Sequence, residues 1–127
     1  MKNWIIIGAF LAIIAVILGA FGAHILKSKL PPEDLAIFET GVRYHMYHAL
    51  AIIILGVVGL NYDENLIRLP VILLVLGIFV FSGSLYLLVL TGYRWLGAIT
   101  PIGGLSFIAG WVPVSYTHLT LPTIYSE

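Results

Sequence analysis

The chain has 127 residues, of which 61% are apolar and only 9% charged, with no cysteine and a net charge of zero. Soluble domains carry about 25% charged residues, and a globule this small has too much surface to hide so much apolar side chain from water. The balance also excludes a disordered chain, a nucleic-acid binder with a basic face and a disulfide scaffold.

The twelve charges are unevenly spread. Residues 3–26, 44–62, 69–93 and 95–126 carry none, and a helix needs roughly 20 apolar residues to cross the hydrocarbon core of a bilayer. The expected fold is therefore all-α: a membrane protein of four transmembrane helices in one bundle, its domain covering residues 1–113. The first span is expected at about 4–23 (WIIIGAFLAIIAVILGAFGA). Its rival reading is a cleaved signal peptide with Lys2 in the leading position, but the apolar stretch is long for that and three more spans follow.

HILKSKLPPEDL follows, and Pro31-Pro32 breaks any continuing helix. Pro32 suits a first helical turn, and Glu33 and Asp34 complement the positive end of the helix dipole. No breaker then appears until about Leu60. The ionisable groups crowd into residues 33–48, which predicts an interfacial first half leading into a second span at 42–60. NYDENLIR (61–68) is a turn, and the third span is expected at 69–90, with Pro70 at its start and Ser82-Gly83-Ser84 inside. TGYRW (91–95) is a tight loop whose Tyr93 and Trp95 suit the headgroup level. The fourth span, 96–112, is short and rich in small residues, with Pro101 inside it, where a proline can kink a helix. Lys2 and Arg68 fall on one side of the membrane, and Lys27, Lys29 and Arg94 on the other. A difference of one basic residue does not orient the protein. Residues 114–127 (VSYTHLTLPTIYSE) form an atypical tail, a string resembling translated sequencing-adapter DNA and expected to be foreign to the domain.

Ionisable groups near membrane spans are functional candidates by default, because burying them there is costly. The candidates are His24, Glu39, Arg43, Tyr44, His45 and His48. At 100° per residue, Glu39 and Arg43 share a face with Tyr47, an i,i+4 pair in the favourable order. Tyr44 and His48 lie opposite with Gly41, and His45 is beside them. Three readings fit: hydrogen-bonding glue between helices, a proton-accepting site tuned by Glu39, and a metal site built from His24, Glu39, His45 and His48. For His24 alone, a place at the negative end of a helix is sufficient explanation.

Small residues recur at close-packing intervals, notably Gly19 and Gly22 on the first span, Gly83 on the third, and Gly103, Gly104 and Gly110 on the fourth. They let backbones approach closely, which is how membrane helices gain packing energy. The first and fourth spans are accordingly expected inside the bundle. No phosphate-binding loop, dinucleotide fingerprint, nucleophile elbow or CxxC occurs. No catalytic residue, cofactor site or bound metal is assigned, and no enzymatic activity is expected. The expected partners are the lipid bilayer and either a second copy or another membrane protein, with no nucleic acid.

GAFGAHIL (19–26), FETGVRYHMYHALA (38–51), FSGSLYLL (81–88) and LGAITPIGGLSFIAGW (96–111), in this order, resemble the small membrane-protein family of domain of unknown function 423, relatives of transmembrane protein 256. The resemblance covers residues 1 to about 112. It implies a multi-pass protein of the bacterial plasma membrane with no established activity. It also marks Gly22, His24, Tyr44, His48, Ser82, Gly83, Tyr86, Pro101, Gly103, Gly104 and Trp111 as typical positions, without roles.

Overall fold

The structure, a computed structural model, describes the backbone of residues 2–126 and the side chains of residues 3–115. Four helices among the described residues are long and apolar enough to cross a membrane: α1 (Asn3–Leu26), α2 (Pro32–Val58), α3 (Asn65–Thr91) and α4 (Arg94–Ser115). No strand occurs among the described residues. Short connections make neighbours antiparallel, so the ends of α1 and α3 and the starts of α2 and α4 share one side.

The polar half of α2 does not stand apart from the bundle. Pro32–Val58 is one uninterrupted α-helix, with Pro32 in its first turn and Glu33 and Asp34 beside it. Within that half Asp34, Phe38, Gly41, His45 and His48 are all buried. Their burial packs the segment against the other helices.

Both prolines assigned to spans also sit differently. α3 begins at Asn65, whose amide is capped by Asp63 Oδ1 at 3.0 Å, and Pro70 lies inside the helix. Pro101 stands at the start of an α-helix rather than within one. A 3₁₀ turn (Arg94–Ala98) precedes it, and the α-helix proper starts at Thr100. Pro101 thus occupies the opening turn, where a missing N–H is harmless. The helix continues as Thr100–Ser126. The question of a foreign tail at 114–127 falls almost wholly outside the residues whose side chains are described.

The helices are joined in the order α1–α2–α3–α4, with α1 resting mainly along α2 and α4 along α3. Over an 18-residue apolar stretch of each span, 44% of α2 and 39% of α3 are buried, against 17% of α1 and 22% of α4. The outer helices are therefore the glycine-rich ones, which reverses the expectation that they lie inside. The physical reason is that close approach needs a small residue on only one of two touching helices. A Cβ at Gly8 of α1 would meet the Ala49 carbonyl oxygen at 3.0 Å, and one at Gly110 of α4 would meet that of Pro70 at 3.1 Å. At Gly103 it would fall on the Phe81 backbone. Gly19 and Gly22 face Val42 and Phe38 of α2.

Two turns of these helices are wider than α-helical. Ile17–Gly22 in α1 and Ile78–Ser82 in α3 are π-helical. Such turns insert an extra residue and rotate the side chains beyond them relative to those before. In α3 the wide turn ends at the fully buried Ser82, and α-helix resumes at Gly83. α3 then stops at Gly92, whose φ of 79° is left-handed and whose N–H bonds the Leu88 carbonyl at 2.8 Å. That conformation favours glycine, and it turns the chain into α4 almost at once.

Candidate functional site

The polar side chains of the bundle gather where α2 meets α3 and α4. Gly41, His45 and His48 share the inward face of α2, spaced so that each meets a different neighbour. A Cβ on Gly41 would lie 3.0 Å from the Tyr86 ring, so its absence lets that ring settle on the α2 backbone. Ser82, carried inward by the wide turn, donates its hydroxyl to the Gly41 carbonyl at 2.7 Å. His45 Nδ1 lies 2.9 Å from the Tyr86 hydroxyl, and the Tyr86 ring rests against Phe38 with centroids 5.4 Å apart.

One turn further on, His48 connects α2 to α4. Its Nδ1 donates to the Tyr44 carbonyl at 2.7 Å, and its Nε2 accepts the indole N–H of Trp111 at 3.1 Å. The ring stacks on Phe107 with centroids 3.6 Å apart and planes 9° from parallel. These bonds use both nitrogens as a single tautomer of neutral imidazole would have them. α3 and α4 are joined by two further polar contacts. Ser84 and Thr100 hydroxyls lie 2.6 Å apart, and Ser106 donates to the Leu73 carbonyl at 2.7 Å.

The six candidate residues do not converge. His45 and His48 are buried in separate contacts, Tyr44 is partly exposed with its ring parallel to that of His48 and tilted against Phe81, and His24 is exposed near the end of α1. Glu39 and Arg43 are exposed and border a shallow pocket of about 300 Å³ with Gly19, Ala23 and Val42. No ion pair joins them. The ion pair found among the described residues is Asp34–Arg94, with Nη2 3.0 Å from each carboxylate oxygen. It ties the start of α2 to the start of α4. An i,i+4 pair is worth only tenths of a kcal/mol against side-chain entropy, whereas Asp34 is itself buried and needs a partner. Among the described residues no three His, Cys, Asp or Glu side chains are grouped to hold a metal ion.

The packing glycines divide similarly. Gly19, Gly22, Gly103 and Gly110 stand at close helix contacts, while Gly104 touches only the tip of Phe81 at 3.9 Å. Gly83 is corrected: nothing lies within 4 Å of where its Cβ would be. Tyr86 and Trp111 lie in the resemblance motifs, yet nothing in their local sequence marks their bonds to the two histidines. Their partners are 41 and 63 residues away in the chain, and no local spacing connects them.

Four apolar helices, joined by short turns and cross-linked by buried hydroxyl and imidazole bonds, define a multi-span integral membrane protein. The chain belongs to the family described as protein of unknown function (DUF423), whose model matches residues 18–104. It is 51% identical over 112 residues to a UPF0382 membrane protein of Staphylococcus haemolyticus, covering 88% of this chain and 91% of that one. It is 48% identical over 112 residues to a UPF0382 membrane protein of Staphylococcus aureus, with 88% and 91% covered. With the UPF0382 membrane protein YwdK of Bacillus subtilis the identity is 45% over 115 residues, covering 90% and 94%. No solved structure matches the chain.

Proposed function

We propose that the protein is a non-enzymatic accessory component of the bacterial plasma membrane, acting through helix–helix contact with a second copy or another membrane protein. The observation that carries this reading is how the polar groups are spent. Ser82, Ser84, Ser106, Thr100 and His48 all bond to neighbouring helices of the same bundle, the ordinary use of such groups in lipid. Ser106 is spent wholly on the Leu73 carbonyl, and Ser84 and Thr100 on each other and on backbone carbonyls. The outer helices, by contrast, present broad apolar faces, with Ile13 of α1 57% exposed and Ile108 of α4 60% exposed.

The natural chain has no cysteine, so single cysteines at Ile13 and Ile108 would report on these faces directly. In native membranes, oxidative crosslinking is expected to join one of them to a second copy or to a defined membrane protein. Monomer alone, from positions scanned along both α1 and α4, would overturn the accessory reading.

A further inference from the structure

Arg43 carries a permanent charge at membrane depth. Gly19 of α1 packs on Val42 of α2, which sets Arg43, the next residue, at the level of Gly19. Lys27 is the first charge after α1, and Gly19 lies about two helical turns, roughly 12 Å, inward from it. Glu39 stands one turn nearer the same end, at the level of Gly22, which packs on Phe38. Both side chains are exposed on the outside of the bundle, and neither makes an ion pair or side-chain hydrogen bond among the described residues. An outward-facing charge at this depth is costly unless it reaches an opposite charge or water.

The two charges line one cleft of about 300 Å³ with Gly19, Ala23 and Val42. The small residues of α1 leave it open. Toward the bilayer centre the same face of α2 continues as Tyr47, Leu50 and Ile54, all exposed. From Glu39 to Ile54 these five side chains keep within about 80° at 100° per residue. One stripe thus carries an acid, then a base, then an apolar run.

We propose that this stripe seats one aminophospholipid, with its ammonium on Glu39, its phosphate on Arg43 and an acyl chain along Tyr47, Leu50 and Ile54. Such a lipid carries ammonium, phosphate and acyl chain in that order from water inward, which is the order of the stripe. The guanidinium is a planar fork of donors that matches phosphate, and its long stem lets the charge reach outward to the headgroup. An anionic lipid would satisfy Arg43 but set its phosphate beside the Glu39 carboxylate with no cation for it.

A second copy of the chain fits the stripe less well. Copies inserted the same way are related by an axis along the membrane normal, so each charge would meet its like at equal depth. Copies inserted in opposite directions would bring neither charge to a partner, since both lie toward one end of the bundle.

The proposal is independent of the accessory reading and is tested separately. The full chain in a mild detergent would be titrated with phosphatidylethanolamine and, separately, with phosphatidylglycerol, and bound lipids counted by native mass spectrometry. One phosphatidylethanolamine per chain is expected, held at least tenfold more tightly than phosphatidylglycerol. Arg43→Gln should weaken it at least tenfold, and Glu39→Gln should abolish the preference between the two lipids. Exchanging the charges, Glu39→Arg with Arg43→Glu, keeps the composition but reverses the order, and should lose binding. Should the exchanged protein fail to insert, Ala23→Leu, which fills the cleft, serves instead. Equal binding of the two lipids, or binding unchanged in Arg43→Gln or Ala23→Leu, would overturn the proposal. So would a lipid-free dimer that Arg43→Gln dissociates, which would assign the stripe to a second copy.

Discussion

At the scale of single residues, His45 and His48 show how one residue type takes two roles three positions apart. His48 has both nitrogens occupied, one by its own helix and one by Trp111. Trp111→Phe keeps the aromatic bulk and leaves Nε2 of His48 without a donor. It should lower bundle stability by about 1 kcal/mol, measured by titrating the protein from a mild detergent into a denaturing one. A double-mutant cycle with His48→Phe should return a coupling of similar size; a coupling of zero would mean that the bond contributes nothing. His45 is equally buried and bonds Tyr86, with the Leu11 backbone of α1 beside it. A sequence cannot separate the two, because the difference lies in what α1 and α4 present to them. Neither Tyr86 nor Trp111 is within reach along the chain, and the Asp34–Arg94 pair spans 60 residues. Glu39 and Arg43, which local spacing does connect, stay apart.

At the scale of elements, the four spans are legible because charge is so costly in hydrocarbon that its absence marks them. Their packing order is not. A stripe of glycine records that a helix is approached closely, whether from one side or several. The contrast between Gly103 and Gly83 is open to measurement. Gly103→Ala places a methyl group on the Phe81 backbone and should destabilise the α3–α4 contact by about 1–3 kcal/mol. Gly83→Ala meets nothing within 4 Å and replaces a poor helix former, so stability should hold or rise by up to about 1 kcal/mol. Equal effects in the same detergent titration would contradict these placements. At Gly92 the constraint is conformational rather than spatial. Open space surrounds it, yet its φ of 79° is left-handed. Gly92→Ala should therefore cost about 1–2 kcal/mol without altering helical content by circular dichroism. The wide turns at Ile17–Gly22 and Ile78–Ser82 leave no mark in the sequence, since residues of ordinary helical composition form them.

At the scale of the whole molecule, the order of contacts has a consequence for assembly. α1 with α2, and α3 with α4, are the two most extensive pairings, and the pairs meet chiefly where α2 touches α3. The protein is thus a pair of hairpins within one chain, linked through residues 59–64. Helices that insert independently can find each other within the bilayer afterwards. Two half-genes, divided in that turn and expressed together, should yield hairpins that copurify through a tag on only one of them. Ser82→Ala, which removes the hydroxyl bonded to the Gly41 carbonyl, should reduce that recovery. Halves that fail to associate would show the covalent turn to be essential. If they do associate, each hairpin is a self-sufficient insertion unit, and the seam between α2 and α3 is a join between two separately inserted parts.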